Sequence, residues 1–151
     1  MARFPGTEQQ HNRAGWQPGQ VVRCRRSRAN AARELSDVRG FVLEVRPGHA
    51  RLLLNLQGQT IWLEGEALLA ESELTDPGLE RFRQAYVLLA GQRLELDDQS
   101  WTVFSAGFSA SALDQARSAL GEFAGDLELE AHGVSEFAVR MSWCHGGVTN
   151  A

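Results

Sequence analysis

The chain has 151 residues, 43% of them hydrophobic, with fifteen basic side chains against nineteen acidic ones. That is enough length to bury a core without disulfide staples, and no apolar run approaches the roughly 20 residues of a membrane helix, which excludes a helical membrane span. Cys24 and Cys144 are far apart and belong to no C-x-x-C pair, which argues against a disulfide framework or a zinc ribbon and for a reducing, cytoplasmic setting. All fifteen basic residues are arginine, so their placement carries more information than their type. Residues 1–51 hold ten Arg against four acids, and residues 52–151 hold five Arg against fifteen acids. Such a division points to an anionic partner for the front half or to docking of basic on acidic halves.

Residues 1–15 lack periodicity and read as a flexible tail. Short strand-like runs follow: Gln20 to Arg25, Gly40 to Arg46, Ala50 to Leu56 and Gln59 to Glu64, separated at Pro47-Gly48 and Gln57-Gly58 by turn residues. Connections this short require antiparallel pairing. The stretch from Arg26 to Arg39, with Ala29 to Leu35 able to form a helical turn or two, reads as a long mobile loop. Residues 16–70 thus form a small β-barrel module. It resembles the SH3-like small barrels, the group that includes KOW and Tudor modules, through Val21-Val22-Arg23-Cys24, Gly40-Phe41-Val42-Leu43-Glu44-Val45 and Thr60-Ile61-Trp62-Leu63. The resemblance implies a binding module.

Residues 71–76 are polar and read as a linker. Asp76-Pro77 then supplies an N-cap and a first-turn proline, Leu79, Phe82, Tyr86 and Leu89 recur at helical spacing, and Gly91 is placed to end the helix. A second helix is expected from Ser111, with Asp114 as its capping-box partner. Its apolar face would be Leu113, Ala116, Leu120 and Phe123, and Gly125 would stop it. Each helix precedes a hairpin: Gln92 to Asp97 with Ser100 to Ala106, and Asp126 to Ala131 with Glu136 to Trp143. Phe137, Val139, Met141 and Trp143 alternate with polar or small residues, as in a half-buried strand. The sequence therefore predicts an α+β protein. Its SH3-like barrel is followed at residues 77–145 by an αββαββ antiparallel sheet with two helices on one face, and 146–151 form a second flexible tail.

The candidate site is the arginine group Arg23, Arg25, Arg26, Arg28, Arg33, Arg39, Arg46 and Arg51, whose density on a small barrel suits nucleic-acid phosphates. Arg23 and Arg25 alternate with Val22 and Cys24, which predicts an outward face for both. Trp16, Phe41 and Trp62 could stack a base or cage a methylated side chain, although a small barrel needs its aromatics for its core. His132, Cys144 and His145 could converge near the last hairpin, but their spacing matches no metal motif. No phosphate-binding loop, G-x-S-x-G, H-E-x-x-H or dinucleotide fingerprint is present. The resulting expectation is a non-catalytic protein without cofactor that binds nucleic acid. A protein-interaction or self-associating scaffold is the alternative, and a metal- or Cys/His-dependent enzyme comes third.

Overall fold

The computed structural model describes residues 15–96, 100–105, 107–121, 127–131 and 137–142, the last two segments as backbone strands. The protein is α+β, with two antiparallel sheets and two helices of more than two turns among the described residues. The first sheet contains β1 (Val21–Cys24), β2 (Arg39–Arg46), β3 (His49–Leu53), β4 (Thr60–Glu64) and β5 (Leu68–Ala70) in the order β4-β3-β2-β1-β5. A short helix, α1 (Arg28–Ala32), lies between β1 and β2, and a 3-10 turn, Gly65–Ala67, leads into β5. The second sheet contains β6 (Gly91–Leu96), β7 (Ser100–Ser105), β8 (Leu127–Ala131) and β9 (Phe137–Ser142) in the order β6-β7-β9-β8. Helices α2 (Pro77–Leu88) and α3 (Ala110–Leu120) precede the two hairpins and pack on each other.

The first sheet is buried on both faces, and its sequence explains how. Val21 and Val22 are neighbours with opposite-facing side chains, yet both are buried, as are Phe41, Val42 and Leu43 in succession. On one face, Val22, Cys24, Val42, Leu52, Leu63 and Leu68 from all five strands converge with Trp16 and Leu35. Trp16 closes this core and donates its indole N–H to the Gly65 carbonyl at 3.0 Å. On the other face, Val21, Phe41, Leu43 and Leu53 join Leu79, Phe82 and Tyr86 of α2 and Leu94, Trp101 and Val103 of the second sheet. Ala116 and Leu120 of α3 enter this same cluster. Apolar contact therefore crosses the 71–76 segment, from which Leu74 is itself buried in the common core.

The centre of that core is aromatic. Phe82 lies 4.8 Å from Trp101 and 6.1 Å from Phe41, and Phe41 lies 5.6 Å from Tyr86, all in tilted arrangements favoured by the ring quadrupoles. Register along β2 and β3 passes from Val42↔Leu52 to Glu44↔Arg51, so Leu43 sits in a bulge without a partner residue on β3. Its carbonyl accepts the Tyr86 hydroxyl at 2.7 Å. Two further bonds tie the halves: Arg51 Nη1 donates to the Leu94 carbonyl at 2.8 Å, and Arg83 Nη1 to the Gly19 carbonyl at 3.1 Å. Glu80 takes Arg83 through two oxygens, which holds the Glu80 carboxyl below the usual carboxylate range.

Several details differ from the sequence reading. The Asp76 cap is as expected, with Oδ1 accepting from the Gly78 and Leu79 amides. The α2 helix, however, ends through Ala90 at φ 53°, and Gly91 opens β6 instead. A Cβ on Gly91 would lie 2.6 Å from the Tyr86 ring, so packing rather than chain reversal demands the glycine. The α3 cap is Ser109, whose hydroxyl accepts from the Ala112 amide, two residues before Ser111, and Gly121 at φ 57° ends the helix. Phe123 and Gly125 lie outside the described residues. Strand β5 has no counterpart in the sequence reading, because three residues carry too little periodicity. The expected mobile loop contains α1, capped by Ser27. Both hairpins of the second sheet are present, and β9 also pairs with β7 in the register Trp101↔Met141 and Val103↔Val139. The alternation expected for the β9 side chains, both turns of these hairpins and the two terminal tails lie outside the described residues. No described helix is long and apolar enough to cross a membrane.

Burial pushes the Tyr86 hydroxyl far above the ordinary phenol value, and the nearby Glu44 carboxylate adds to the effect. A phenol whose folded value exceeds its unfolded value of about 10 contributes stability in full below that pH and loses it as pH rises further. Tyr86 is the single tyrosine and the chain has no lysine, so alkaline titration reports on it with little interference. Tyrosinate absorbance should therefore stay undeveloped well past pH ~10 and then appear together with loss of near-UV dichroism. Tyr86→Phe, which leaves the buried Leu43 carbonyl without its donor, should lower stability by about 1–3 kcal/mol. A normal phenol titration in a still-native protein would contradict this placement.

Candidate functional site

The arginine-rich segment after β1 is fastened by one buried polar side chain. Asn30 is 2% exposed, and its Nδ2 donates to the Arg25 carbonyl at 2.8 Å and to the Ala67 carbonyl at 3.4 Å. Its carbonyl accepts from the amides of Arg33 and Leu35. Ser27 Oγ accepts the Asn30 amide at 3.0 Å, and Leu35 anchors the far end in the inner core. Burial of Asn30 is tolerable because its side-chain amide donors and both of its backbone groups are used. The result is a short helical turn with Arg25, Arg28 and Arg33 exposed around it. None of the three has a carboxylate partner among the described residues.

The other five predicted arginines have different fates. Arg23 Nη1 lies 2.9 Å from Asp37 Oδ1, and its Nε lies 3.2 Å from Glu71 Oε2. Arg26 Nε reaches Asp37 Oδ2 at 2.6 Å, and Arg39 Nε reaches Glu71 Oε2 at 3.2 Å. These form one chain of alternating charge, Arg26–Asp37–Arg23–Glu71–Arg39, in which Arg26 remains largely solvated with 82% of its side chain exposed. Hydrogen bonds from Arg26 and then Arg23 hold the Asp37 carboxyl below its usual range. Asp37 adopts φ 66°, a left-handed conformation that Asp tolerates better than most residues. Arg51 is engaged inside the molecule by Glu44, Thr60 and the Leu94 carbonyl, and Arg46 stacks 4.0 Å from the Trp62 ring centroid.

The expected alternation of Arg23 with its apolar neighbours is present. Because both faces of the sheet are covered, however, its guanidinium turns into an ion-pair network. The aromatic platform is not assembled: Trp16 belongs to the inner core, Phe41 to the core shared with α2, and only Trp62 is partly exposed. Cys24 is a buried thiol whose burial pushes its pKa up. His132, Cys144 and His145 lie outside the described residues. Among the described residues, no three potential metal ligands cluster.

A cleft of about 520 Å³ opens where β1 and β2 meet the 71–76 segment and the start of α2. Arg23 and Arg39, which face each other in register across the strands, form one side with Asp37 and Glu71. Leu54, Leu74 and Leu79 supply apolar surface, and Thr75 and Asp76 border the opening. Sequence reasoning counted Asp37 but did not pair it, and assigned Glu71 to a linker. The one available signal was a pair of acids, Glu34 and Asp37, amid six arginines between positions 23 and 39. Comparison of the chain with protein-family models, curated proteins and solved structures finds no match.

Asn30 should be the residue on which the arginine display depends. Asn30→Ala removes the donors to two backbone carbonyls and should cost about 1–3 kcal/mol of stability. It should also speed native-state tryptic cleavage after Arg28 and Arg33 by releasing the turn. Unchanged melting and unchanged cleavage would contradict the anchoring role.

Proposed function

We propose that the protein is a non-catalytic, cytoplasmic binding protein whose first sheet, an SH3-like small barrel, contacts nucleic-acid phosphates through Arg25, Arg28 and Arg33, with Arg26 at the margin. One observation carries this reading. Of eight candidate arginines, these three are exposed and unpaired among the described residues within a nine-residue stretch, and a buried Asn30 fixes the turn that carries them. Supporting the barrel resemblance are the strand order β4-β3-β2-β1-β5 and the 3-10 turn before β5.

The footprint is smaller than the arginine count suggests. Arg23, Arg39 and Arg51 are already paired with Asp37, Glu71 and Glu44, so a phosphate would have to share their guanidiniums with carboxylates. These pairings within one copy also reduce the charge available for docking the basic half of one molecule on the acidic half of another. Binding should accordingly be weak, indifferent to sequence and electrostatic in origin.

On duplex DNA the logarithm of affinity should fall with log salt at a slope of roughly −3, at about −0.9 per contacted phosphate. Arg25→Ala, Arg28→Ala and Arg33→Ala should each flatten the slope by about one unit or less, while Arg51→Ala should leave it unchanged. Equal binding by the triple alanine variant would remove the phosphate reading. Salt-sensitive self-association in sedimentation, without nucleic-acid binding, would replace it with the scaffold function.

A further inference from the structure

We infer that the cleft between β1, β2 and the start of α2 is a binding site for a small aliphatic carboxylate, with Arg39 and Arg23 as its anion anchors. The donors are in place. Arg23 uses Nε on Glu71 and Nη1 on Asp37, and Arg39 places Nε beside Glu71. This leaves the Nη2 group of Arg23 and both Nη groups of Arg39 without an acceptor among the described residues. The Nη1/Nη2 pair of Arg39 can grip a carboxylate bidentately, and Nη2 of Arg23 can add a single further bond.

The rest of the cleft selects what accompanies the carboxylate. Leu54, Leu74 and Leu79 line it while remaining 9%, 7% and 2% exposed, so the apolar wall is narrow and suits only a short branched aliphatic group. The volume of about 520 Å³ lies within the range of small-molecule sites. Glu71 is the internal competitor: a single oxygen, Oε2, lies 3.2 Å from both Arg23 and Arg39. An incoming carboxylate would share those guanidiniums with it. At the cleft border, Asp76 spends Oδ1 on the α2 amides, and Oδ2 makes no hydrogen bond to a described residue. A free amino acid could place its ammonium there, whereas a plain acid would leave Oδ2 to water. The two sources share the carboxylate and the aliphatic body.

Calorimetric titration of the full chain with isovalerate, its neutral counterpart isovaleramide, and leucine tests the site. Isovalerate should bind saturably and the amide about tenfold or more weaker, since charge-assisted bonds are lost. Arg39→Gln should weaken isovalerate by about tenfold. Glu71→Gln, which frees both guanidiniums, should tighten it several-fold. Leucine binding tighter than isovalerate identifies amino acids as the source, and weaker or equal binding identifies simple acids. The combined Arg25, Arg28 and Arg33 alanine variant should bind isovalerate normally, which separates this site from the phosphate surface. Equal affinity for acid and amide, insensitivity to Arg39→Gln, or no saturable binding by either the wild type or Glu71→Gln at millimolar concentration would overturn the assignment.

Discussion

The two halves of the molecule depend on the core they share, and at its centre the Tyr86 hydroxyl makes a hydrogen bond to the Leu43 carbonyl. The β2 bulge makes it possible by taking Leu43 out of register with β3. A buried carbonyl without a donor is costly, so the bulge and the tyrosine are each favourable only in the other's presence. The same tyrosine ring fixes Gly91, since no side chain fits beside it, and so sets where α2 gives way to β6. Helix, bulge and sheet start are thereby specified around one aromatic side chain.

Around this core the charges resolve into two populations. Arginines near the junction, namely Arg23, Arg39, Arg51 and Arg83, hold carboxylates or backbone carbonyls and organise the join. Arginines on the α1 turn hold nothing among the described residues and face solvent. The division follows from position: a guanidinium on a sheet covered on both faces must find acceptors, whereas one on a surface turn has water. Partly exposed pairs such as Arg26–Asp37 add little to stability, and their main effect is to fix geometry.

Much of the fold is legible in the sequence. Asp76-Pro77 with an apolar repeat announces α2, and the glycine-punctuated runs announce β2 to β4, because these signals act within a few residues. What the sequence hides is set over distance. Ser109 and Ser111 are equally plausible caps locally, and it is Ser109 that accepts the Ala112 amide and starts the helix. The run Phe41-Val42-Leu43 reads as a strand, but nothing local says that each face meets a different core. Arg23 finds its partners 14 and 48 residues away, beyond any spacing rule. The candidate site was therefore legible as a group of arginines and illegible as a division between engaged and free ones.

The shared core also orders events during synthesis. All five strands of the first sheet are made by Ala70, when Val21, Phe41, Leu43 and Leu53 still lack the α2 residues that cover them. About 20 further residues, or ~1–4 s at typical translation rates, must be added before Leu89 completes the helical part of that cover, and the second sheet and α3 add the rest later. During this interval the nascent chain presents an apolar sheet face of the kind that recruits chaperones or associates with other chains. The short spacing between β5 and α2 limits how long that face stays open, which gives the brief 71–76 connection a kinetic role as well as a structural one.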